Sequence, residues 1–506
     1  RASPMAESSR NRASSSPPPS TGAVGGAWNE MTDAQGHPRA HWLNLSMKLG
    51  RLTADERASL ASTAERMIED LGTTFNVFSD VGGAGRPYEL DSIPLIIPPA
   101  EWQRVSEGLK QRIRLLDAVV SDLYGPQTLM RDGFIPPDLV HSSPAFLPYA
   151  CGIQPPGGHH LISTGCDLVR SPNGSWMVLR DHTGTPGGLG QVYENRNVIS
   201  KLLADAFDSS RVARLADFAD LEREALRSIA VPRRDEVNVV FLTPGFRHPS
   251  YFEHAYKARL LGFPLVQPAD LTVRERRLFL KTLGGLRRID GVVCRIDHDG
   301  IDPLEHLGRG GDGVPGIVEA WRTGNVALAN APGSAFASSP ALMPFLPRIC
   351  REWFGEDMKL PFVETWWLGQ EQTRRRVMDQ MARFVLLSAS PDLHPLLPVQ
   401  WSALTPSARK QWLAVIEARP HDFVVQADVR PSEIPVIEGR SMRSRPVIWR
   451  AFTLNSPEIT TALPGGLARI GKQARAVQLW PSHAGFTKDV WVSESAETAD
   501  RFERRT

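Results

Sequence analysis

Asp167-Leu-Val-Arg-Ser-Pro-Asn-Gly-Ser-Trp-Met-Val-Leu-Arg-Asp-His-Thr-Gly-Thr-Pro-Gly-Gly-Leu-Gly190 is the stretch that decides the fold. Two apolar runs flank Pro172-Asn173-Gly174, a turn signal that predicts a β-hairpin. Folding back at that turn brings Asp167 beside the Arg180-Asp181-His182 cluster that leaves the second strand. Acidic and amide groups that meet at a hairpin end, next to a Gly-rich loop such as that at Gly187 and Gly188, can build a magnesium–nucleotide site.

The bulk composition sets the frame around this stretch. A chain of 506 residues is too long for one core and implies about two or three domains. Its 42% hydrophobic and 23% charged residues are ordinary for a globular protein. Lys and Arg number 58 against 56 Asp and Glu, a net charge of +2 that gives no case for nucleic acid. No apolar run approaches the roughly 20 residues that cross a bilayer. No apolar signal core follows the N-terminus, so no membrane association and a cytoplasmic location are expected. Cys151, Cys166, Cys294 and Cys350 are scattered without Cys-x-x-Cys spacing, which reads as buried reduced thiols.

Along the chain, residues 1–27 are Ser-, Pro-, Ala- and Arg-rich and read as a disordered tail. A helical region follows over 28–140, with helices expected at 47–69 and 100–124. The hairpin lies in a segment spanning 141–235 and leads into a helix at 198–207. Asn238-Val-Val-Phe-Leu-Thr-Pro-Gly245, a helix over 251–261 and Pro264-Leu-Val-Gln form a β-α-β unit. That unit opens a Rossmann-like domain at 236–346, which lacks Gly-x-Gly-x-x-Gly after its first strand. Mixed helices and strands fill 347–494, and 495–506 reads as a charged tail or linker.

The hairpin with Glu194-Asn195-Arg196 behind it resembles the circularly permuted type 2 ATP-grasp family. Further matching pieces occur in family order: Asp122-Leu-Tyr-Gly-Pro126, Leu242-Thr-Pro-Gly245, Gly313-Val-Pro-Gly316, Pro464-Gly-Gly-Leu-Ala-Arg469 and Lys488-Asp-Val-Trp-Val492. The resemblance implies an α/β (α+β) fold in which the metal hairpin precedes a Rossmann-like pre-ATP-grasp domain and an ATP-grasp body. It implies ATP and Mg²⁺ as cofactors, an amino-acid or peptide substrate, and a helical Alpha-E domain, fused or separate, as partner. The implied activity is ADP-forming carboxylate–amine ligation in peptide synthesis or modification, through an acyl phosphate that an amine attacks.

That chemistry needs carboxylates on Mg²⁺ and lysines on phosphates. By resemblance the metal strand carries Glu-Asp-Asn, where this chain has Arg180-Asp181-His182. The expected lysines fall on Pro340 and Leu387, and Ala389-Ser-Pro-Asp-Leu-His-Pro395 replaces a Gly-rich loop. The phosphate and magnesium site therefore reads as degraded. The rival reading is a catalytically inactive scaffold that binds a peptide or an Alpha-E partner.

Several residues remain as candidates, each beside a plainer role. Asp167 and Asp181 read as relic metal ligands or as turn-flanking residues. Arg180 contacts a phosphate or carboxylate, or else pairs with Asp181; His182 is a substituted ligand or a polar loop residue. Gly187, Gly188 and Gln426 complete the cofactor side. Arg295, Arg450 and Lys488 are the catalytic candidates. Tyr251, Glu253, His254, Asp297 and Asp489 are the substrate-side candidates; interdomain ion pairing or a simple turn is the alternative for this group. Trp366 and Trp367 read as packing, and Arg374-Arg-Arg376 as a solvated helix face.

Overall fold

The computed structural model describes residues 26–71, 74–75, 86–87, 89–230, 237–305, 313–390, 398–471 and 484–494. Residues 1–25 of the tail expected over 1–27, the loop at 391–395 and the stretch 495–506 lie outside the described residues.

The hairpin forms where the turn signal placed it. Strands Ser163–Arg170 and Trp176–His182 pair antiparallel. Gly174 closes the turn at φ +87°, a left-handed conformation that costs glycine nothing. The first strand also pairs antiparallel with the long strand Ser441–Asn455, which sets Arg450 opposite Asp167. An eight-stranded sheet results, running Leu95–Ile97, Ala484–Val492, Leu467–Gly471, Ser441–Asn455, Ser163–Arg170 and Trp176–His182. Glu433–Glu438 and Thr460–Ala462 pair with Ser441–Asn455 off this path. One face buries Leu168, Val178, Trp449 and Trp491 with Val105 and Leu109 of the helix Pro99–Tyr124.

The Rossmann-like unit is a parallel four-stranded sheet in the order Ala327–Ala329, Gly291–Cys294, Val239–Leu242, Leu265–Val266. Val240, Leu242 and Val292 pack into one core and Val239, Phe241 and Val293 into another. Burial on both faces is why the sequence reads as continuous apolar runs without alternation. A separate antiparallel sheet joins Thr365–Trp367, Phe423–Ala427, Phe384–Ser388 and Val399–Gln400. Its strands alternate between two cores, Leu386 and Val425 to one side, Val385, Leu387 and Val424 to the other.

Three local expectations need correction. The helix expected at 47–69 is two helices, Leu43–Arg51 and Ala54–Asp70. Thr53 starts the second with a capping box, its hydroxyl accepting from the Glu56 N–H at 3.2 Å while the Glu56 carboxylate accepts from the Thr53 N–H at 2.7 Å. Thr53→Ala should cost on the order of 1 kcal/mol, read as a lowered urea midpoint. The helix expected at 198–207 starts earlier, at Leu189–Leu202, and resumes as Ala204–Ser209. A three-stranded antiparallel sheet, Leu271–Arg274, Arg277–Thr282 and Gly285–Ile289, was not signalled at all. Its first turn places Glu275 and Arg276 at φ +50° and +58°, positions where Gly or Asn would have marked a turn.

Candidate functional site

The two hairpin strands do not pair evenly. Asp167 faces Arg180, but Leu168 faces Val178, so Leu179 is an extra residue in a bulge. The bulge turns both Arg180 and His182 to the Asp167 face and sends Asp181 to the other. On the Asp167 face, Arg450 grips the carboxylate with Nε to Oδ1 at 2.7 Å and Nη2 to Oδ2 at 3.1 Å. His182 Nε2 lies 2.9 Å from Asp167 Oδ2 and also 2.9 Å from Arg450 Nη2, and Arg180 Nη2 stands 3.4 Å from Oδ2. Burial alone would raise the Asp167 carboxyl, but Arg450, His182 and Arg180 outweigh it and hold it well below the usual range. Burial, reinforced by Arg450, pushes His182 down and keeps its ring neutral at neutral pH.

Asp181 faces away from this cluster. Arg112 holds it in a fully buried two-point pair, Nε at 2.8 Å and Nη2 at 2.6 Å. Asp167 and Asp181 therefore do not share one metal site, which corrects the expectation that placed them together. The alternative pairing of Arg180 with Asp181 is corrected in the same way, since Arg180 faces Asp167. Among the described residues, no group of three or more His, Cys, Asp or Glu converges on a position for a metal ion.

After the hairpin the chain reaches Gly188, at φ +105°, which caps the helix Leu189–Leu202. A side chain at Gly188 would meet Leu467 at 3.1 Å and one at Gly190 would meet Glu253 at 2.8 Å. The open helix terminus is filled from within. Glu253 Oε1 accepts from the N–H groups of Gly188 at 2.6 Å and Gly190 at 3.3 Å. Arg450 Nη1 donates to the Gly187 carbonyl at 3.1 Å, and Arg295 Nη1 to the Pro186 carbonyl at 3.0 Å. Arg295 also lies over the Phe241 ring, 5.5 Å from its centroid.

The hairpin exit and the Rossmann-like sheet are tied by Asn330, directly after the strand Ala327–Ala329. Its side-chain oxygen accepts from the N–H groups of Ile162 at 2.8 Å and Ser163 at 3.0 Å. Its amide donates to the carbonyls of Ser163 and Thr183, both at 2.7 Å. Beside this clamp opens a cleft of about 360 Å³, between His182, Thr183 and Thr185 on one side and Asp297, His298 and Asp299 on the other. The latter three follow the strand Gly291–Cys294, at the carboxyl end of a parallel sheet where α/β folds place ligands.

The other candidates separate from this region. Lys488 is 0% exposed; it bonds Asp91 and donates to the carbonyls of Ile93 at 2.8 Å and Pro435 at 2.9 Å. Asp489 accepts from Arg196 Nε at 2.7 Å and Trp491 Nε1 at 2.8 Å. Gln426 donates to the Leu179 carbonyl at 3.1 Å and to Thr365 Oγ1 at 3.0 Å. The structure thus buries Lys488, Asp489 and Gln426 in protein contacts, away from the cleft lining. His254 bonds Thr243 Oγ1 at 2.9 Å, and burial pushes its ring down to about 2. Tyr251 begins its helix half-buried. Leu387 packs in a core, and Pro340 begins a short 3-10 helix. Trp366 and Trp367 are core residues, and Arg375 pairs with Glu371 on an exposed helix face. All four cysteines are free; Cys151 is exposed, so the expectation of burial holds only for Cys166, Cys294 and Cys350.

Arg112 went unnoticed in the sequence although a signal was present. Val105, Leu109, Arg112 and Leu116 share the buried stripe of one helix, and a charge on such a stripe needs a buried partner. Among the described residues, no helix is long and apolar enough to cross a membrane.

Comparison with known proteins agrees with this architecture. The family model described as circularly permuted ATP-grasp type 2 matches residues 94–471. An uncharacterized protein of Synechocystis sp. is 34% identical over 93% of this chain and 98% of its own length. An uncharacterized Mycobacterium leprae protein is 32% identical over 92% of this chain and 82% of its own. A further uncharacterized protein, of Mycobacterium tuberculosis, is 32% identical over 92% of this chain but only 53% of its own length. Among solved structures, a glutathione synthetase-like effector from Globodera pallida in apo form superposes with a TM-score of 0.56 at 11% identity. That match covers 88% of this chain and 98% of that one, and it is a likeness of fold.

Proposed function

The chain belongs to the circularly permuted ATP-grasp type 2 family, and from that premise we propose that it is a carboxylate–amine ligase-like protein of a peptide synthesis or modification system whose phosphate and magnesium site is degraded. The family generally uses ATP and Mg²⁺. The observation that carries the reading is the state of Asp167, whose two oxygens face Arg450, His182 and Arg180. Magnesium asks for oxygen ligands turned toward it. Asp181 is locked to Arg112, so this donor set does not fit the ion. The phosphate side supports the same reading: Pro340 and Leu387 carry no charge, and Glu253 occupies the helix terminus that would otherwise attract an anion.

Titrating the full chain with ATP and Mg²⁺ in a calorimeter tests this. Losing two phosphate lysines, at roughly 1.5–3 kcal/mol each, should weaken ATP by a few orders of magnitude. Micromolar, Mg²⁺-dependent binding would overturn the degraded site.

A second reading is favoured by the Mycobacterium tuberculosis relative, in which a unit like this one is joined to a long further stretch of chain. Under it the protein is an inactive scaffold for a peptide or an Alpha-E domain. ADP release in the presence of carboxylate and amine would exclude this scaffold. Partner binding without ADP release would support it.

A further inference from the structure

The three-stranded sheet of Leu271–Arg274, Arg277–Thr282 and Gly285–Ile289 has two faces of opposite character. Directly paired residues of an antiparallel ladder share a face, so the register sorts the side chains. Leu271, Val273, Leu278, Leu280 and Ile289 turn onto the core that also holds Leu242 and Val292. Arg274, Arg277, Phe279, Lys281, Leu286 and Arg288 fall on the outer face, where no strand position is Asp or Glu. Over residues 271–289 six Lys and Arg stand against one Glu, a local excess of +5 on a chain whose net charge is +2. Leu283, at the turn joining the last two strands, is fully exposed, and Leu286 is exposed beside Lys281.

The pairing register adds a second observation. Arg274 sits directly opposite Arg277, and like charges facing each other across a ladder repel. Arg277 reaches Glu275 at 3.9 Å and Arg288 reaches Asp290 at 3.5 Å. Among the described residues neither Arg274 nor Lys281 pairs with a carboxylate; Lys281 donates to the Ala269 carbonyl at 2.8 Å. The outer face therefore has a cationic row at one end, Phe279 half-buried in the middle, and Lys281 with Leu286 at the other end. From Arg277 to Lys281 is four strand residues, roughly 13 Å. An extended peptide laid along the face has the same repeat: side chains at i, i+2 and i+4 point one way.

We propose that this face docks an extended acidic peptide segment, with carboxylates four residues apart on the Arg274–Arg277 row and on Lys281, and an apolar side chain between them on Phe279 and Leu286. A carboxylate between Arg274 and Arg277 relieves their repulsion, and the apolar residue covers the exposed leucine. The other occupants fit less well. A second copy across a two-fold axis would set the cations against themselves. Single-stranded nucleic acid takes aromatic stacking platforms, and this face offers one half-buried ring among aliphatic groups. Two exposed leucines are little apolar surface to hold a bilayer. The inference stands apart from the ligase reading and from the cleft beside Asn330.

The test is fluorescence anisotropy of a labelled peptide of repeating Glu-Ser-Leu-Ser against the full chain, without nucleotide or metal. The peptide is expected to bind, more weakly as salt rises, while its Gln-Ser-Leu-Ser and Lys-Ser-Leu-Ser counterparts do not. The double variant Arg274→Gln/Lys281→Gln should weaken it by roughly tenfold or more and leave the melting temperature unchanged, because both side chains are exposed. Arg274→Lys keeps the charge and should bind within a few-fold of the unaltered chain. Absence of binding by the acidic peptide would overturn the proposal, as would equal binding of the glutamine peptide or full binding by the double variant. Tighter binding of labelled oligothymidylate, or of phosphatidylcholine vesicles containing phosphatidylserine, would assign the face to nucleic acid or to a membrane instead. Concentration-dependent dimerisation lost in the double variant would assign it to a second copy.

Discussion

Asp167→Ala is expected to destabilise the protein by about 3–5 kcal/mol, because it leaves buried cations without their counter-charge. Arg450, Arg180 and His182 all converge on that carboxylate, and Asp167 is itself fully buried. A carboxylate kept for a metal would behave in the opposite way. Its removal would relieve a binding site and leave stability unchanged or improved, with any Mg²⁺ response abolished. The urea midpoint of the variant, with m unchanged, decides between the two. The same cluster fixes a pH dependence. The folded-state pKa of Asp167 is depressed, so its contribution is fully present above the ordinary aspartate value and is lost as pH falls through the depressed one. His182 is likewise depressed, and the rings of half-buried His41 and of buried His160 and His298 are pushed to about 4. In each the unfolded chain binds the proton first, so stability should begin to fall as pH drops below the ordinary histidine value near 6.5, and fall further toward 4. A melting temperature that stays flat from neutral pH down to that range would contradict the neutral state of these rings.

Much of the architecture was legible because it is written in local signals. Pro172-Asn173-Gly174 marks the hairpin turn, and Asn238-Val-Val-Phe-Leu marks a strand buried on both faces. The site was less legible for three physical reasons. A single extra residue, Leu179, reverses which way Arg180 and Asp181 point; a slip of one position moves a side chain to the other face, and composition does not announce it. The partners of the buried charges are remote: Asp181 meets Arg112 from 69 positions away, and Asp167 meets Arg450 from 283. Glu253 looked like a substrate group because it follows a strand end, yet its carboxylate caps a helix that begins at Leu189. The role of Asn330 as a clamp carries no local signal, because it depends on a side chain imitating a strand neighbour across two units.

Lys488→Met is expected to destabilise the protein by about 3–5 kcal/mol, since it strands a buried carboxylate. In the sequence Lys488 stands after a Gly-containing loop, where a ligand role and a simple turn are the two readings. Its ammonium instead bonds Asp91, from 397 positions away, together with two backbone carbonyls. Burial depresses it, and the Asp91 carboxylate works against that. Asp91 in turn accepts from the N–H groups of Ile93 at 2.9 Å and Ile437 at 2.8 Å, so the pair pins three parts of the chain together. Asp91→Asn removes the charge and keeps, in its single amide oxygen, one of those two acceptors; the stranded carboxylate it abolishes costs more than the one hydrogen bond it gives up. The double variant Lys488→Met/Asp91→Asn should therefore be more stable than Lys488→Met alone, and the cycle should show coupling of about 1–3 kcal/mol. A lysine that serves chemistry gives a different pattern: a nearly normal melting curve for Lys488→Met, no coupling to Asp91, and loss of ligand turnover. The cycle separates the two cases without any knowledge of the substrate, because a buried ion pair reports itself through stability and a catalytic charge does not.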